Sequence, residues 1–296
     1  MSIIEILADK KAVIDRALDY FLPDEKEYPQ SVHRAVRYSV FAGGKRIRPI
    51  LVLLTAELFM ADFKKAIPAA CALELIHTYS LIHDDLPAMD DDDYRRGQLT
   101  SHKVFGEGIA ILTGDALLTM AFEILSDSSY WDDVKPEIRL KIISEIAGAS
   151  GIKGMIGGQV VDLESEGKNV GAETLEYIDT HKTGALFSAA IRLGAILSEA
   201  KTEDLDKLTD YSRLLGNAFQ IVDDLLDVEG DEKKMGKATG ADARKEKANF
   251  ISYYGIERAK EKRDQLYLQA LKELEYFGEK AGVLKDITQY MLYRNH

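Results

Sequence analysis

Apolar residues recur at i, i+3 and i+4 over 3–21, 31–42, 47–60, 66–86, 109–126, 136–149, 173–197, 203–229, 256–277 and 281–292, the spacing that lines one face of a helix. Period-two alternation, the mark of a half-buried strand, is scarce. All six prolines lie between Pro23 and Pro136, so the rest of the chain meets no strong helix breaker. Several boundaries carry matching chemistry. Pro136 sits where a first helical residue needs no N–H, Thr202-Glu203-Asp204 is a capped acidic start, and Gly230 and Gly278 follow long periodic runs. The pattern predicts an all-α chain, one domain over residues 1–296, with about ten or more helices in a bundle and ligands bound between facing helices.

The 296 residues carry 50 acidic and 38 basic side chains, a net charge of −12, and no basic stripe that could follow a phosphate backbone, which argues against a nucleic-acid partner. No uncharged apolar stretch approaches the roughly 18 residues of a membrane span, and the first ten residues mix acids and bases, so the expected setting is cytoplasmic without membrane insertion. The single Cys71 lies in an apolar run and reads as a buried structural thiol.

Two acidic clusters break the pattern. Residues 84–93 hold six carboxylates, Asp84, Asp85, Asp90, Asp91, Asp92 and Asp93, at the end of an apolar helix that Pro87 should stop. Asp223, Asp224 and Asp227 close the helix beginning near 203, with 223 and 227 on one face. A helix C-terminus already carries about half a negative charge. Two carboxylates about 4 Å apart at an effective dielectric near 20 repel by roughly 4 kcal/mol, so a cation is required to relieve them. Oxygen-only ligands select hard ions, and sparse carboxylates that leave room for water and phosphate oxygens suit Mg²⁺. No D-x-[DN]-x-[DN]-G loop for Ca²⁺ is present. An acidic run can also be solvated surface. Here apolar neighbours such as Ile82, Leu86, Val222 and Leu225 place the carboxylates against a cavity.

Gly43-Gly44-Lys45-Arg46-Ile47-Arg48-Pro49 joins flexible backbone to three cations ahead of a helix, a loop able to cradle phosphate although it lacks P-loop spacing. Arg95 and Arg96 follow the first acidic run and can fork onto phosphate oxygens. One diphosphate could then be held through metals and another by Lys and Arg directly. His77, seven residues before Asp84, lies about 20° from it on the helical wheel and should face the same cavity. Lys182, Thr183, Gln220 and Lys237 are weaker signals that gain meaning together.

With GGKRIRP at 43–49, IHTYSLIHDDLPAMDDDDYRRG at 76–97, HKTGALF at 181–187, FQIVDDLLD at 219–227 and GKATGAD at 236–242, the chain resembles the bacterial-type farnesyl diphosphate synthases of the trans-isoprenyl diphosphate synthase family over almost its whole length. The resemblance implies an all-α isoprenoid synthase fold around a deep central cavity, a homodimer, and Mg²⁺-dependent condensation of isopentenyl diphosphate with allylic diphosphates. It implies about three Mg²⁺ ions, with Mn²⁺ as an alternative, held by Asp84, Asp90 and Asp85 on one side and Asp223, Asp227 and Asp224 on the other. Gly44, Lys45, Arg48, His77 and Arg96 resemble the isopentenyl diphosphate pocket. Arg95, Lys182, Thr183, Gln220, Lys237 and Lys247 resemble the allylic diphosphate contacts, with Lys182, Thr183 and Gln220 beside the reacting carbon. Lys247-Ala248-Asn249-Phe250 departs from the family's lysine followed by hydroxyl residues. The resemblance also makes Tyr79 the floor that limits product length at fifteen carbons, with Ser80 too small to block. A helical wheel puts Tyr79 about 140° from Asp84, so geometry alone does not assign that role.

Three rivals stay open on the sequence: a geranylgeranyl or other short-chain polyprenyl diphosphate synthase, an all-α phosphohydrolase using the His83-Asp84 dipeptide, and an inactive helical partner of a prenyl synthase. The second leaves 223–227 without a task, because His33, His102, His181 and His296 form no evident ligand set.

Overall fold

A computed structural model describes residues 1–60, 62–131, 133–168, 170–229 and 249–293. Helix α1 (Ile3–Phe21) opens on a capping box, in which the Ser2 hydroxyl accepts the Glu5 N–H and the Glu5 carboxylate accepts the Ser2 N–H. It is followed by α2 (Gln30–Val40), α3 (Ile47–Glu57) and α4 (Ile67–Asp84). Helix α4 is apolar almost all round, from Pro68 through Ile82, which is the signature of a helix buried on every side. It touches α1, α2 and α3 and runs along α6 (Glu107–Ser126).

The remaining helices are α5 (Ser101–Phe105), α7 (Pro136–Ser150), α8 (Met155–Ser165), α9 (Ala172–Ile178), α10 (Ala185–Leu197), α11 (Thr202–Glu229), α12 (Phe250–Tyr254), α13 (Ile256–Glu275) and α14 (Gly282–Leu292). Helix α10 is the second buried rod and packs on α3, α7 and α11. The all-α expectation holds, and each of the ten periodic runs has its helix.

Three details differ. The run 173–197 is two helices joined by a π-helical turn, Asp179–Gly184. Helix α8 escapes the pattern because Gly157 and Gly158 interrupt its apolar face. A two-residue hairpin pairs Tyr94 with Leu99 and Arg95 with Gln98, closed by Arg96 and Gly97 at φ 54° and 77°, the two positive values of a type I′ turn. Helix α6 is long and apolar enough by length and composition to cross a membrane, although Asp115 and Glu123 interrupt it, so no uncharged stretch of span length occurs, in line with the sequence reading. In the fold one face of it is buried, through Ala110, Thr113, Gly114, Leu117 and Ala121, while Ile111 and Leu112 are exposed. The boundary read at Gly230 lies outside the described residues. Cys71 is buried, and burial pushes its thiol up, as a structural cysteine requires.

Candidate active site

Helix α4 ends at Asp84, where Pro87 begins a tight loop that folds back until the Asp90 N–H donates to the Asp84 carbonyl at 2.9 Å. Two aspartates six residues apart are thereby joined through their backbones. The reversal needs Asp91 at φ 50°, a left-handed conformation that aspartate tolerates. Asp85 turns the other way. It is buried and takes a forked contact from Arg95, whose Nε lies 2.7 and 2.9 Å from its two oxygens. Burial lifts the Asp85 carboxyl above its ordinary range and the Arg95 contact pulls it back. Of the outer acids, Asp93 pairs with Lys103 at 2.7 Å on the surface.

Below Asp84 lies a cavity of about 510 Å³. Its polar lining comprises Arg48, His77, Ser80, Asp84, Gln159, Lys182 and Thr183, and its apolar lining includes Tyr79, Leu118, Met155, Ile156 and Leu186. Tyr79 and Asp84 share this cavity despite their separation on the wheel, because the hollow spans more than one face of α4 at its C-terminal end. The Tyr79 hydroxyl is buried without a hydrogen-bond partner among the described residues, and burial pushes it up to about 12. His83 leaves the acidic pair and bonds through Nε2 to the Ile111 carbonyl at 3.0 Å. Its ring occupies the place where a side chain at Gly114 would stand.

The π turn supplies Lys182 and Thr183, and bulged turns of this kind recur at functional sites. Lys182 Nζ is 2.6 Å from Asp162 Oδ2 and 3.9 Å from Asp84 Oδ1, while the Gln159 amide donates to Asp84 Oδ1 at 2.6 Å. Thr183 Oγ1 is 2.8 Å from Gln220 Oε1 on α11. Adjacent residues of one turn therefore reach both acidic helices, Lys182 the first and Thr183 the second. Gly158 is what lets α8 lie on this turn, since a Cβ there would come within 2.1 Å of the Lys182 backbone nitrogen.

On α11, Asp224 is buried and both of its oxygens have donors: Gln220 Nε2 at 2.9 Å and the Phe250 N–H at 2.9 Å. Asp223 is half-buried and Asp227 buried, and the helix continues through both, keeping them on one face. Asp85 and Asp224, expected beside the metal, thus each serve protein donors in this structure. Asp179 is held well above the ordinary carboxylate range by burial and by Asp224 and Asp162 nearby.

The glycine-rich loop divides its cations. Arg46 is buried in a core ion-pair network, 2.7 Å from Glu74 and 2.9 Å from Asp15, so it does not belong to the site. Lys45 is exposed beside it. Arg48 approaches His77, NH1 to Nε2 3.2 Å, and stacks 4.5 Å above the Phe187 ring. Arg can only donate, so Nε2 accepts and the proton sits on Nδ1. Burial and then the Arg48, Arg96, Arg95 and Arg46 charges hold His77 well below its usual value, so the imidazole is neutral. Arg96 donates to the Gly43 carbonyl, and a Cβ on Gly44, at φ 114°, would meet its guanidinium at 2.6 to 2.9 Å. Gly44, Arg48, His77 and Arg96 are therefore gathered at one rim. Lys237 and Lys247 lie outside the described residues. Asn249 takes the helix-capping task a hydroxyl residue would have, accepting the Ser252 N–H at 2.8 Å in a capping box that opens α12.

Gln159 and Asp162 were not singled out from the sequence. A glycine pair followed by polar residues at i and i+3 on an otherwise apolar helix was their only signal.

Aspartates at the end of α4 and on α11, cations at one rim and a largely apolar hollow beside Asp84 and Lys182 suit an anionic ligand that carries a hydrocarbon tail. The polyprenyl synthetase family pattern matches residues 29–291, and the chain belongs to that family. It is 43% identical to a geranylgeranyl diphosphate synthase of Cyanophora paradoxa over 100% of this chain and 97% of the relative. It is 42% identical to a farnesyl diphosphate synthase of Bacillus subtilis over 98% of this chain and 97% of the relative. The crystal structure of an FPP/GFPP synthase from Zymomonas mobilis superposes with a TM-score of 0.86 at 39% identity, covering 98% of each chain. The protein is accordingly an all-α prenyltransferase of isoprenoid biosynthesis that condenses prenyl chains. Enzymes of this family generally use Mg²⁺.

Proposed function

We propose that this chain, working as one domain, condenses isopentenyl diphosphate head to tail with dimethylallyl and geranyl diphosphates and releases farnesyl diphosphate. The observation that carries the reading is the π turn, whose adjacent Lys182 and Thr183 reach Asp84 and Gln220 across the mouth of an apolar cavity. The donor set fits a hard cation, because Asp84 already draws an ammonium and an amide N–H to one oxygen. Asp84 and Asp90 would hold Mg²⁺ on one side and Asp223 with Asp227 on the other, a Lewis acid that takes up the negative charge of the departing diphosphate. Asp85 and Asp224 support these pairs from behind.

Lys182 and Arg95 carry the charge facing the allylic diphosphate, a role that Lys237 and Lys247 share by sequence resemblance alone, while Lys45, Arg48 and Arg96 with neutral His77 hold isopentenyl diphosphate. The allylic C–O bond breaks and its electron pair leaves with the diphosphate. The isopentenyl double bond attacks C1 of the allylic cation, and a proton is lost to the released diphosphate. The apolar walls exclude water that would quench the cation. The relatives include both fifteen- and twenty-carbon synthases, so overall similarity does not choose the product. Tyr79 at the cavity wall favours the shorter one. A homodimer is supported by the exposed apolar residues Ile111 and Leu112 on α6, with mass in solution as the check.

The test incubates the protein with isopentenyl diphosphate and each allylic diphosphate, with and without Mg²⁺, and reads product length by chromatography. Farnesyl diphosphate is expected, and Tyr79→Ala should shift it to twenty carbons or more. Release of phosphate without chain growth would overturn the function, and an unchanged product from Tyr79→Ala would overturn the floor.

A further inference from the structure

Four groups form a hydrogen-bonded file from the C-terminal region to the cavity. The Phe250 N–H donates to Asp224 Oδ2 at 2.9 Å, Gln220 Nε2 donates to Asp224 Oδ1 at 2.9 Å, and Gln220 Oε1 faces Thr183 Oγ1 at 2.8 Å. The direction of this file follows from chemistry. A backbone N–H can only donate and a carboxylate can only accept, so the Gln220 group facing Asp224 must be its NH₂. The Gln220 carbonyl oxygen then faces Thr183, which leaves the Thr183 hydroxyl no choice but to donate. The hydroxyl lone pairs have no donor among the described residues, and Thr183 lines the cavity.

We infer that Asp224 is a positioning residue that sets the polarity of the Thr183 hydroxyl, so that an oxygen lone pair and not a proton faces the positive carbon formed in the cavity. This rests on the condensation reading above. A preorganised dipole aimed at developing charge in a dry site costs no reorganisation at the moment of reaction. The fold places Asp224 for this task. It lies one helical step of about 100° from Asp223, is buried, and draws its second donor from a residue 26 positions later.

Asp224→Asn is the decisive change because it keeps shape and reverses the file. The Asn oxygen can still accept from Phe250, but its NH₂ then donates to Gln220, whose own NH₂ turns to Thr183 and drives the hydroxyl proton toward the cavity. The readout is the affinity of an ammonium analogue of the allylic diphosphate relative to a neutral thioether analogue, measured by calorimetry with Mg²⁺. In D224N this ratio should fall about tenfold, with kcat falling similarly and the KM values and the Mg²⁺ concentration for half-maximal rate within about twofold of wild type. Thr183→Val should lose the same ratio, and the double variant should lose no more than T183V alone. A wild-type ratio in D224N overturns the inference, as does an unchanged ratio with a sharply raised Mg²⁺ requirement, which would make Asp224 a metal ligand. Should D224N not fold, a wild-type ratio in T183V overturns it alone, and loss in T183V with retention in Thr183→Ser supports it. A wild-type enzyme that elongates no prenyl chain defeats the condensation reading itself, a result separate from the analogue ratio.

Discussion

The two acidic motifs group their aspartates by opposite routes. In the first, the helix stops at Pro87 and a loop carries Asp90 back to the Asp84 carbonyl, fixed by a backbone hydrogen bond and one left-handed residue. In the second, the helix runs on through Asp227 to Glu229, and the four-residue period alone puts Asp223 and Asp227 on one face. The second aspartate of each motif is turned inward, yet with different partners: Asp85 holds a charged guanidinium, Asp224 an amide and a backbone N–H. Each motif thus sets one aspartate apart from the others by its partners: Asp85 by the Arg95 guanidinium, Asp224 by the Gln220 amide and the Phe250 N–H. Among the described residues, that aspartate, the brace, takes a guanidinium where the backbone is a loop and N–H donors of an amide and the backbone where a helix already supplies rigidity.

Removing the outward members is expected to have the largest effect. Asp84→Ala and Asp223→Ala should each lower kcat at saturating Mg²⁺ by about 10³-fold or more, because each deletes charge stabilisation developed in the transition state. Circular dichroism should show the fold unchanged. Steady-state rates with geranyl and isopentenyl diphosphates check this, and a near-normal rate in one variant only would confine the metal assignment to the other motif.

The braces come next, and they sharpen the contrast. Asp85→Asn removes the partner of Arg95, whose side chain is about one-third exposed, so water offsets part of the loss. A drop of about 1–3 kcal/mol in urea unfolding is expected, with a rise in KM for the allylic diphosphate as the guanidinium loses its anchor. Asp224→Asn keeps the bond from Phe250 and, once the Gln220 amide flips, a reversed one to Gln220, so it should unfold within about 1 kcal/mol of wild type. Equal losses would mean that the two braces do the same work.

How far the sequence disclosed this division depends on what each residue answers to. The outward aspartates were legible because stacked carboxylates at helix ends need a cation whatever the fold. The braces were not, since Asp85 and Asp224 are chemically identical to their neighbours and only tertiary contacts with Arg95 and Phe250 tell them apart. Arg46 shows the same limit. In the sequence it is one of three loop cations, whereas in the fold it is the one that closes on Glu74 and Asp15. Helix α8 was hidden by the glycines that let it touch the π turn, so the feature that builds the site erased its periodic signal. The helices themselves were readable almost throughout, because burying one stripe of a long helix forces the apolar period into the sequence.

The smallest expected effect concerns the cationic rim, which faces the first motif across the cavity. His77 is kept neutral by burial and by the arginines around it, and its Nε2 accepts from Arg48. An unfolded chain takes up a proton at this ring near pH 6.5, while the folded one does so only at lower pH. The stability His77 contributes is therefore complete above about pH 6.5 and is lost as pH falls below it, by at most about 1.4 kcal/mol per pH unit. Asp179 works in the opposite sense, since its raised carboxyl takes up a proton in the fold first and adds stability as pH falls. The raw curve of wild type thus mixes two signs, and only a difference isolates the ring. His77→Gln keeps an oxygen for Arg48 and cannot titrate, so the variant should hold its stability better between pH 6.5 and 5 in urea unfolding. Parallel curves would mean that the imidazole charges freely at the rim, and the anion grip assigned to Lys45, Arg48 and Arg96 would then include a fourth cation at acid pH.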